Sequence, residues 1–309
     1  MTRGRASVLA TLACVVAAAC WAANAVIAAG AFERGMSPER LAQARAIVAL
    51  VPLAIILVAT RRDLLRPARG AMPALIGFGV SMVVVNWAYY VAIDRVPVGV
   101  AISLQYTAPV MILVGTAFLT RRMPPSNIMV AGALTLAGAI LVSGALGAAG
   151  GEALDPVGLL AGILSALSFA SYLLCAEAAG SRGSHPVTTL FIGFIVAVVT
   201  WVLVLPPWNW PFELLADPQV AWRVLAVGIV GTLIPFALVV AAVRWITSAV
   251  AGIATTAEPV LAAALAWLVL GQVLGPMQLL GGALVVAGVL LAQVVRRPDP
   301  VVAPVELAP

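Results

Sequence analysis

The sequence predicts an all-α polytopic membrane protein whose ten transmembrane helices form two inverted five-helix repeats. Its 309 residues are 63% apolar and only 9% charged, which is too little charge to cover the surface of a soluble protein of this length. A helix that crosses a bilayer needs about 20 predominantly apolar residues, and the chain contains many such runs. Several motifs of the first half recur at a fixed spacing in the second half, which indicates an internal duplication.

Ten apolar runs are long enough to be read as spans, and the first begins after Arg3 and Arg5. That first run could be a signal peptide, but it is too long for a typical signal core, so we interpret it as a helix. The predicted spans are TM1 (7–30), TM2 (40–59), TM3 (71–93), TM4 (96–119), TM5 (126–147), TM6 (156–178), TM7 (186–205), TM8 (219–243), TM9 (246–270) and TM10 (276–295).

The duplication is carried by prolines and glycines at matched positions. A shift of 150 residues places Pro109 on Pro259 and Gly138 on Gly288, and a shift of 148 places Arg34-Gly35 on Arg182-Gly183. TM1–TM5 therefore recurs as TM6–TM10. Because five is odd, the second copy must cross the membrane in the opposite orientation, which predicts a pseudo-two-fold axis in the membrane plane.

The predicted domains are residues 1–148 for the first repeat, 149–298 for the second repeat and 299–309 for a disordered cytoplasmic tail. Placing the N-terminus inside puts twelve arginines in cytoplasmic segments and only Arg34, Arg40, Arg95 and Arg223 outside. Cytoplasmic loops carry the excess of basic residues, so both termini are predicted to be cytoplasmic. Inverted repeats that contain proline-interrupted helices are typical of secondary transporters.

Composition also excludes several kinds of site. Cys14, Cys20 and Cys175 lie in apolar runs without the spacing of a metal or disulfide motif, and His185 is the single histidine. We therefore expect no metal, no cofactor and no catalytic residues. The net charge of +5 is explained by topology, so no nucleic-acid partner is predicted.

Four stretches resemble one known family. They are Cys20-Trp21-Ala22-Ala23-Asn24 in TM1, Asn86 to Ile93 in TM3, Thr107-Ala108-Pro109-Val110 in TM4 and Glu258 to Ala263 in TM9. The chain resembles the drug/metabolite transporter superfamily in its EamA-type ten-helix branch, nearest to the threonine/homoserine-type amino-acid exporters. The resemblance implies a central cavity lined mainly by TM1–TM4 and TM6–TM9.

Glu258 is the sharpest candidate for chemistry because it lies midway along TM9. A carboxylate at that depth is costly unless it faces a wet cavity or a partner, which suits proton coupling or binding of a substrate amine. The alternative is that Glu258 only satisfies backbone groups left unpaired by Pro259. The prolines themselves, Pro109 and Pro259, are predicted hinges.

Arg45 lies inside TM2, about one turn from the outer side. Its guanidinium could bind a substrate carboxylate in a two-pronged fashion. The alternative is that its side chain extends to the outer interface and binds nothing.

Other polar and aromatic residues of the core helices must face the protein interior, because a buried hydrogen-bonding group in lipid needs a partner. Some of them line the predicted cavity and others tie helices together, and the sequence leaves this open for each one. The predicted substrate-binding set, besides Arg45 and Glu258, is Trp21, Asn24, Asn86, Tyr89, Tyr90, Gln105, Tyr106, Tyr172 and Thr255.

The function predicted from these features is export of small metabolites, most of all amino acids, across the cell membrane by alternating access. Proton coupling through Glu258 and uncoupled diffusion are both open. The alternatives are a multidrug or other-metabolite permease, and a lipid-moving or structural membrane protein. No span contains a histidine or an aspartate, which excludes the usual intramembrane enzymes. A monomer suffices for the predicted mechanism, in which the partners are the substrate and the lipid bilayer.

Overall fold

The computed structural model describes residues 3–96, 98–148, 154–206, 208, 210–270 and 275–294, and within them every regular element is helical. This confirms the all-α class. The helices are α1 (Arg3–Phe32), α2 (Pro38–Thr60), α3 (Met72–Arg95), α4a (Val98–Gln105), α4b (Ala108–Thr120), α5 (Ser126–Val142), α6 (Pro156–Ser181), α7 (Pro186–Val204), α8a (Pro218–Gly228), α8b (Ile234–Ala242), α9a (Ser248–Thr255), α9b (Glu258–Leu270) and α10 (Pro276–Val294).

The helices numbered 1 to 10 lie on the predicted spans of the same number. Eight of them, with the broken helices taken whole, are long and apolar enough to cross a membrane. The other two apolar helices, Ser126–Val142 and Pro276–Ala292, are shorter, so a crossing at each of those positions stays a prediction. The predicted tail at 299–309 lies outside the described residues.

The helices of TM5, TM8 and TM1 differ most clearly from the predicted spans. TM5 was expected to reach residue 147, but α5 ends at Val142, and a turn through Gly144 (φ 70°) leads to a separate helical turn, Ala145–Ala148. TM8 was expected to be one helix, but a π-helical segment, Ile229–Leu233, separates α8a from α8b. The helix of TM1 extends beyond the apolar run at both ends.

The two halves close their first loops in the same way. Gly35 (φ 90°) follows α1 and Gly183 (φ 81°) follows α6, in a backbone conformation that glycine adopts without a steric penalty. After α1 the Met36 N–H binds the Ala31 carbonyl, and after α6 the Ser184 N–H binds the Ala179 carbonyl. This is the Schellman pattern, and it explains why the Arg-Gly pair recurs in the sequence.

Helices α5 and α10 pack closely and antiparallel through glycine. A methyl group at Gly138 would lie 2.6 Å from the Gly281 carbonyl oxygen, and one at Gly281 would lie 2.7 Å from the Gly138 carbonyl oxygen. A methyl group at Gly288 would likewise meet Thr135, at 2.6 Å from its Cγ2. Small residues let membrane helices approach each other at backbone distance, as these two do.

Helices α2 and α7 are also antiparallel, and each begins beside the end of the other. Near the start of α2, Gln43 donates to the Leu205 carbonyl at 2.7 Å and Arg40 donates to the Pro206 carbonyl at 3.2 Å. Near the start of α7, Thr188 donates to the Leu64 carbonyl at 2.7 Å. Carbonyls at helix ends lack partners within their own helix, so these bonds tie the first half to the second at both ends.

We expect Gly138→Ala to lower the stability of the protein by about 2 kcal/mol, because the added methyl group forces α5 away from α10. The measurement is the unfolding temperature of the purified protein in detergent micelles. Gly115→Ala in α4b is the matched control, since a methyl group there meets no atom within 4 Å. An unfolding temperature that is equal in the two variants would contradict the packing described here.

Candidate functional site

Helices α4 and α9 are each interrupted two residues before a proline. Tyr106 and Thr107 separate α4a from α4b, and Thr256 and Ala257 separate α9a from α9b. The positions differ by the 150-residue spacing of the repeat. Proline has no N–H to bond to the preceding turn, and its ring clashes with that turn, so Pro109 and Pro259 account for both breaks. Their role as moving hinges stays a prediction.

Threonine hydroxyls bind carbonyl groups at both interruptions. Thr107 donates to the Leu104 carbonyl at 2.6 Å, and Thr255 and Thr256 each donate to the Gly252 carbonyl at 2.9 Å. Both carbonyls also accept a backbone N–H, from Thr107 and from Thr256, so the hydroxyls add further bonds at each interruption. Thr255 therefore stabilises the break in this conformation, while Gln105 is the last residue of α4a.

A hydrogen bond joins the two interruptions. The Tyr106 hydroxyl donates to the Glu258 carboxylate at 2.5 Å, and Tyr106 itself is buried. Glu258 is the first residue of α9b, where the positive end of the helix dipole favours a negative charge. Tyr89 on α3 is near enough to interact electrostatically with Glu258, and its ring lies 6.2 Å from that of Tyr90. Glu258, Tyr106, Tyr89 and Tyr90 form the group that we call the break site.

Arg45 lies on α2 with only 5% of its surface exposed. It donates to the Thr232 hydroxyl at 2.7 Å, to the Asn86 side-chain oxygen at 2.7 Å and to the Gly231 carbonyl at 2.9 Å. The side chain is thus enclosed by α3 and the π-helical segment of α8, and it does not extend to the interface. We call Arg45, Asn86, Thr232 and Gly231 the arginine site.

The partners of Arg45 are themselves held in place. The Thr232 hydroxyl donates to the Val227 carbonyl at 2.7 Å, and the Asn86 amide donates to the Met82 carbonyl at 2.6 Å. The π-helical segment allows the first of these bonds, because it frees a carbonyl five residues before the hydroxyl. Such segments occur often at functional sites. Asn24 of α1 packs against Gly231, and its side-chain oxygen is buried without a partner among the described residues.

A small cavity adjoins the arginine site, with room for roughly one or two water molecules. Arg45, Asn86 and Thr232 form its polar side, and Phe194, Trp201, Phe236 and Met82 contribute to its apolar side. Polar groups that converge on one side of an otherwise apolar cavity are typical of ligand sites.

Trp21 and Tyr172 lie in an aromatic cluster next to this cavity. Both contact Phe236, with ring centroids 5.7 Å away from Trp21 and 5.2 Å away from Tyr172. Tyr172 has no exposed surface, and its hydroxyl finds no partner in the described part of the chain. In this conformation both residues pack against other side chains, and their predicted contact with substrate remains a prediction.

The sequence did not predict a role for two residues that form hydrogen bonds at or near these sites. Glu177 accepts a hydrogen bond of 2.7 Å from the Ser248 N–H, so it binds the start of α9a from the end of α6. Thr232 completes the arginine site. An acidic residue inside the predicted TM6 was a signal for Glu177, whereas Thr232 looked like any hydroxyl residue in an apolar helix.

Comparison with known proteins decides the family. The sequence model of the EamA-like transporter family matches residues 8–144 and again residues 156–293. The chain belongs to the EamA-like transporter family. It is therefore a multi-pass membrane protein that transports small metabolites and is not an enzyme.

The individual relatives share only about a quarter of their residues with this chain. The chain is 28% identical over 240 residues to the threonine/homoserine exporter RhtA of Escherichia coli, which is 75% of each chain. It is 25% identical over 249 residues to the exporter of the same name from Salmonella typhimurium, which is 79% of this chain and 78% of that one. An uncharacterized transporter of Archaeoglobus fulgidus is 28% identical over 233 residues, which is 75% of this chain and 78% of that one.

A solved crystal structure has the same fold, with a TM-score of 0.73 at 21% sequence identity. The similarity covers 92% of this chain and 96% of that one.

We expect Glu177→Ala to destabilise the protein by about 1 kcal/mol, because the Ser248 N–H then loses a charged acceptor. The loss of stability is small for a charged acceptor because Glu177 is only half-buried and solvent screens its charge. Thermal unfolding in detergent measures the effect, with the exposed Glu213→Ala as the control. If Glu177→Ala unfolds at the same temperature as that control, the bond between Glu177 and Ser248 contributes nothing to the stability of the protein.

Proposed function

We propose that this protein exports amino acids across the cell membrane by alternating access, with Glu258 binding the substrate amine or a proton in turn. The observation that carries the proposal is the break site, where the Glu258 carboxylate accepts the Tyr106 hydroxyl at 2.5 Å. A carboxylate inside a membrane span is energetically costly, and such residues usually mark a substrate or ion pathway. Interrupted helices near the bilayer midplane supply such sites in secondary transporters.

The named relatives favour amino acids as the substrate class. Those from Escherichia coli and Salmonella typhimurium are called threonine/homoserine exporters. An amino acid carries an ammonium group, which a carboxylate binds through a charge-assisted hydrogen bond. The Tyr106 hydroxyl contacts the carboxylate, and aromatic faces attract ammonium groups as well.

Two inverted halves, 1–148 and 149–298, provide the moving parts in this proposal. The family model matches once in each half. Helices α2 and α7, and likewise α5 and α10, are repeat-equivalent pairs and run antiparallel, as a two-fold axis in the membrane plane requires. These observations support an inverted repeat whose halves exchange conformations around one central site.

The two ends of the bundle are closed to different degrees, which supports alternating access. Where α9 begins, α9a packs against α4b and α6, and a methyl group at Gly252 would lie 3.3 Å from both Pro109 and Leu173. Glu177 adds its bond to Ser248 at this end. Among the described residues, the repeat-equivalent contacts of α4a with α9b and with α1 are not of comparable extent. With the N-terminus inside, the closed end faces the cytoplasm.

In the proposed cycle, the substrate amine displaces the Tyr106 hydroxyl from Glu258. The substrate enters from the cytoplasm while α4b and α9a are apart. These helix halves then close over it while α4a and α9b separate towards the outside, with Pro109 and Pro259 as hinges. A proton on Glu258 replaces the amine on the return step in the coupled form of the cycle. One chain contains every part of this mechanism, so a monomer suffices.

Flux of radiolabelled threonine from proteoliposomes tests the proposal, alongside a panel of neutral amino acids. We expect saturable efflux of at least one member of the panel. No saturable efflux of any amino acid, with scrambling of labelled lipids instead, would overturn the proposal in favour of a lipid-moving protein.

We expect Glu258→Gln to reduce this efflux roughly tenfold or more, which corresponds to the loss of one charged hydrogen bond. The residual efflux is expected to be insensitive to a pH gradient, because glutamine cannot bind a proton. Glu213→Gln, at an exposed position in the short 3-10 helix before α8a, is the matched control and should behave as the wild type. Full activity with an unchanged pH dependence in Glu258→Gln would rule out the role given to this carboxylate.

A further inference from the structure

The buried guanidinium of Arg45 carries a charge that the described part of the protein does not neutralise. The ion pairs found there join other arginines to aspartates at exposed positions. The three groups that Arg45 contacts are a hydroxyl, an amide oxygen and a backbone carbonyl, and all of them are neutral. Neutral acceptors orient a guanidinium, but removing a charge from water without a counter-charge is expensive.

The hydrogen bonds of Arg45 also leave part of its capacity unused. A guanidinium has five N–H donors, and the bonds to described residues use one on each nitrogen. The two remaining donors belong to the two terminal nitrogens. One donor on each terminal nitrogen is the number that a two-pronged bond to both oxygens of a carboxylate requires.

The space next to the arginine site has the size that such a ligand group needs. The cavity holds roughly one or two water molecules, about the volume of a carboxylate group. Phe194, Trp201 and Phe236 also line this cavity. A ligand whose carboxylate occupied the polar side would therefore direct its remaining atoms towards an aromatic wall, which must move to admit them.

We propose that the arginine site binds the carboxylate of the transported substrate and that the aromatic wall of Phe194, Trp201 and Phe236 receives the substrate's apolar atoms. This inference rests on the proposed function and narrows it. It requires a substrate with a carboxylate and at least one apolar group, such as the methyl group of threonine, and it excludes amines and polyols that lack an acid group.

The arginine site and the break site are connected through α3. Asn86 of the first and Tyr89 and Tyr90 of the second lie within about one turn of this helix. An amino acid has its ammonium and carboxylate groups on the same carbon, and α3 contributes residues to both sites. Carboxylate binding also contacts the π-helical segment of α8 through Thr232 and Gly231, which links ligand binding to that segment.

Equilibrium binding to the purified wild-type protein in nanodiscs is the primary test, with L-threonine, L-threonine amide, sodium acetate and sodium chloride as probes. We expect threonine to bind at least about tenfold more tightly than its amide, and acetate to compete with threonine where chloride does not. Equal binding of threonine and its amide would overturn the proposal. Competition by chloride as strong as by acetate would also overturn it, by indicating a site for small inorganic anions.

Variants assign the effect to Arg45. Arg45→Gln should lower threonine affinity to that of the amide without changing amide affinity, and Arg45→Lys should recover part of the loss because it keeps the charge without the fork. Arg40→Gln, which removes an arginine bound to the Pro206 carbonyl on the same helix, is the control and should bind as the wild type. Unchanged discrimination between acid and amide in a folded Arg45→Gln would refute the assignment.

The proposal can still be tested if Arg45→Gln does not fold or if the wild type binds no amino acid. If Arg45→Gln does not fold, Thr232→Val serves instead, since it leaves the charge and removes one group that orients it, and we expect weaker discrimination against the amide. If the wild type binds no amino acid, the proposed function fails, whereas stabilisation of the wild type by acetate and not by chloride still supports a carboxylate site.

Discussion

The bond between Tyr106 and Glu258 is the interaction on which the rest of the structure depends. It joins the interruption of α4 to the interruption of α9 at a depth where lipid offers no hydrogen-bonding partner. Threonine hydroxyls bind a carbonyl at each interruption. Tyr106 and Glu258 then satisfy one another across the interface between the halves. The consequence is a polar centre inside a bundle that is also held together by apolar contacts, by glycine packing and by the hydrogen bonds between α2 and α7.

The residues that shape the helices recur in both halves, whereas the carboxylate of the break site occurs in one half only. The elements that repeat are structural, such as Gly35 with Gly183 and Pro109 with Pro259. The carboxylate of the break site does not repeat, since Ala108 occupies the position equivalent to Glu258. In the proposed cycle two similar halves exchange conformations, while the second half supplies the carboxylate and the first the guanidinium. A substrate with both charges matches this distribution.

The sequence predicted the helices and their breaks well because these depend on local features. Proline and apolar length decide where helices run and break, and the matched spacing of Pro109 and Pro259 located both interruptions. The sequence did not predict hydrogen bonds whose two residues are far apart in the chain. Arg45 is bound by Thr232, 187 residues away, and Glu177 binds Ser248, 71 residues away. No local pattern indicates such pairs, so the depth of Arg45 and the π-helical segment became visible only in the folded chain.

Distances between spin labels at the two ends of the bundle test alternating access most directly. Exposed positions are available at Thr120 and Trp245 where α9 begins, and at Arg95 and Met277 at the opposite end. In a variant whose native cysteines are replaced by alanine, each pair can be labelled in nanodiscs and measured with and without saturating substrate. We predict that substrate lengthens one distance and shortens the other in the same population. Distances that stay single and unchanged at both ends, in a protein that still transports, would contradict the mechanism.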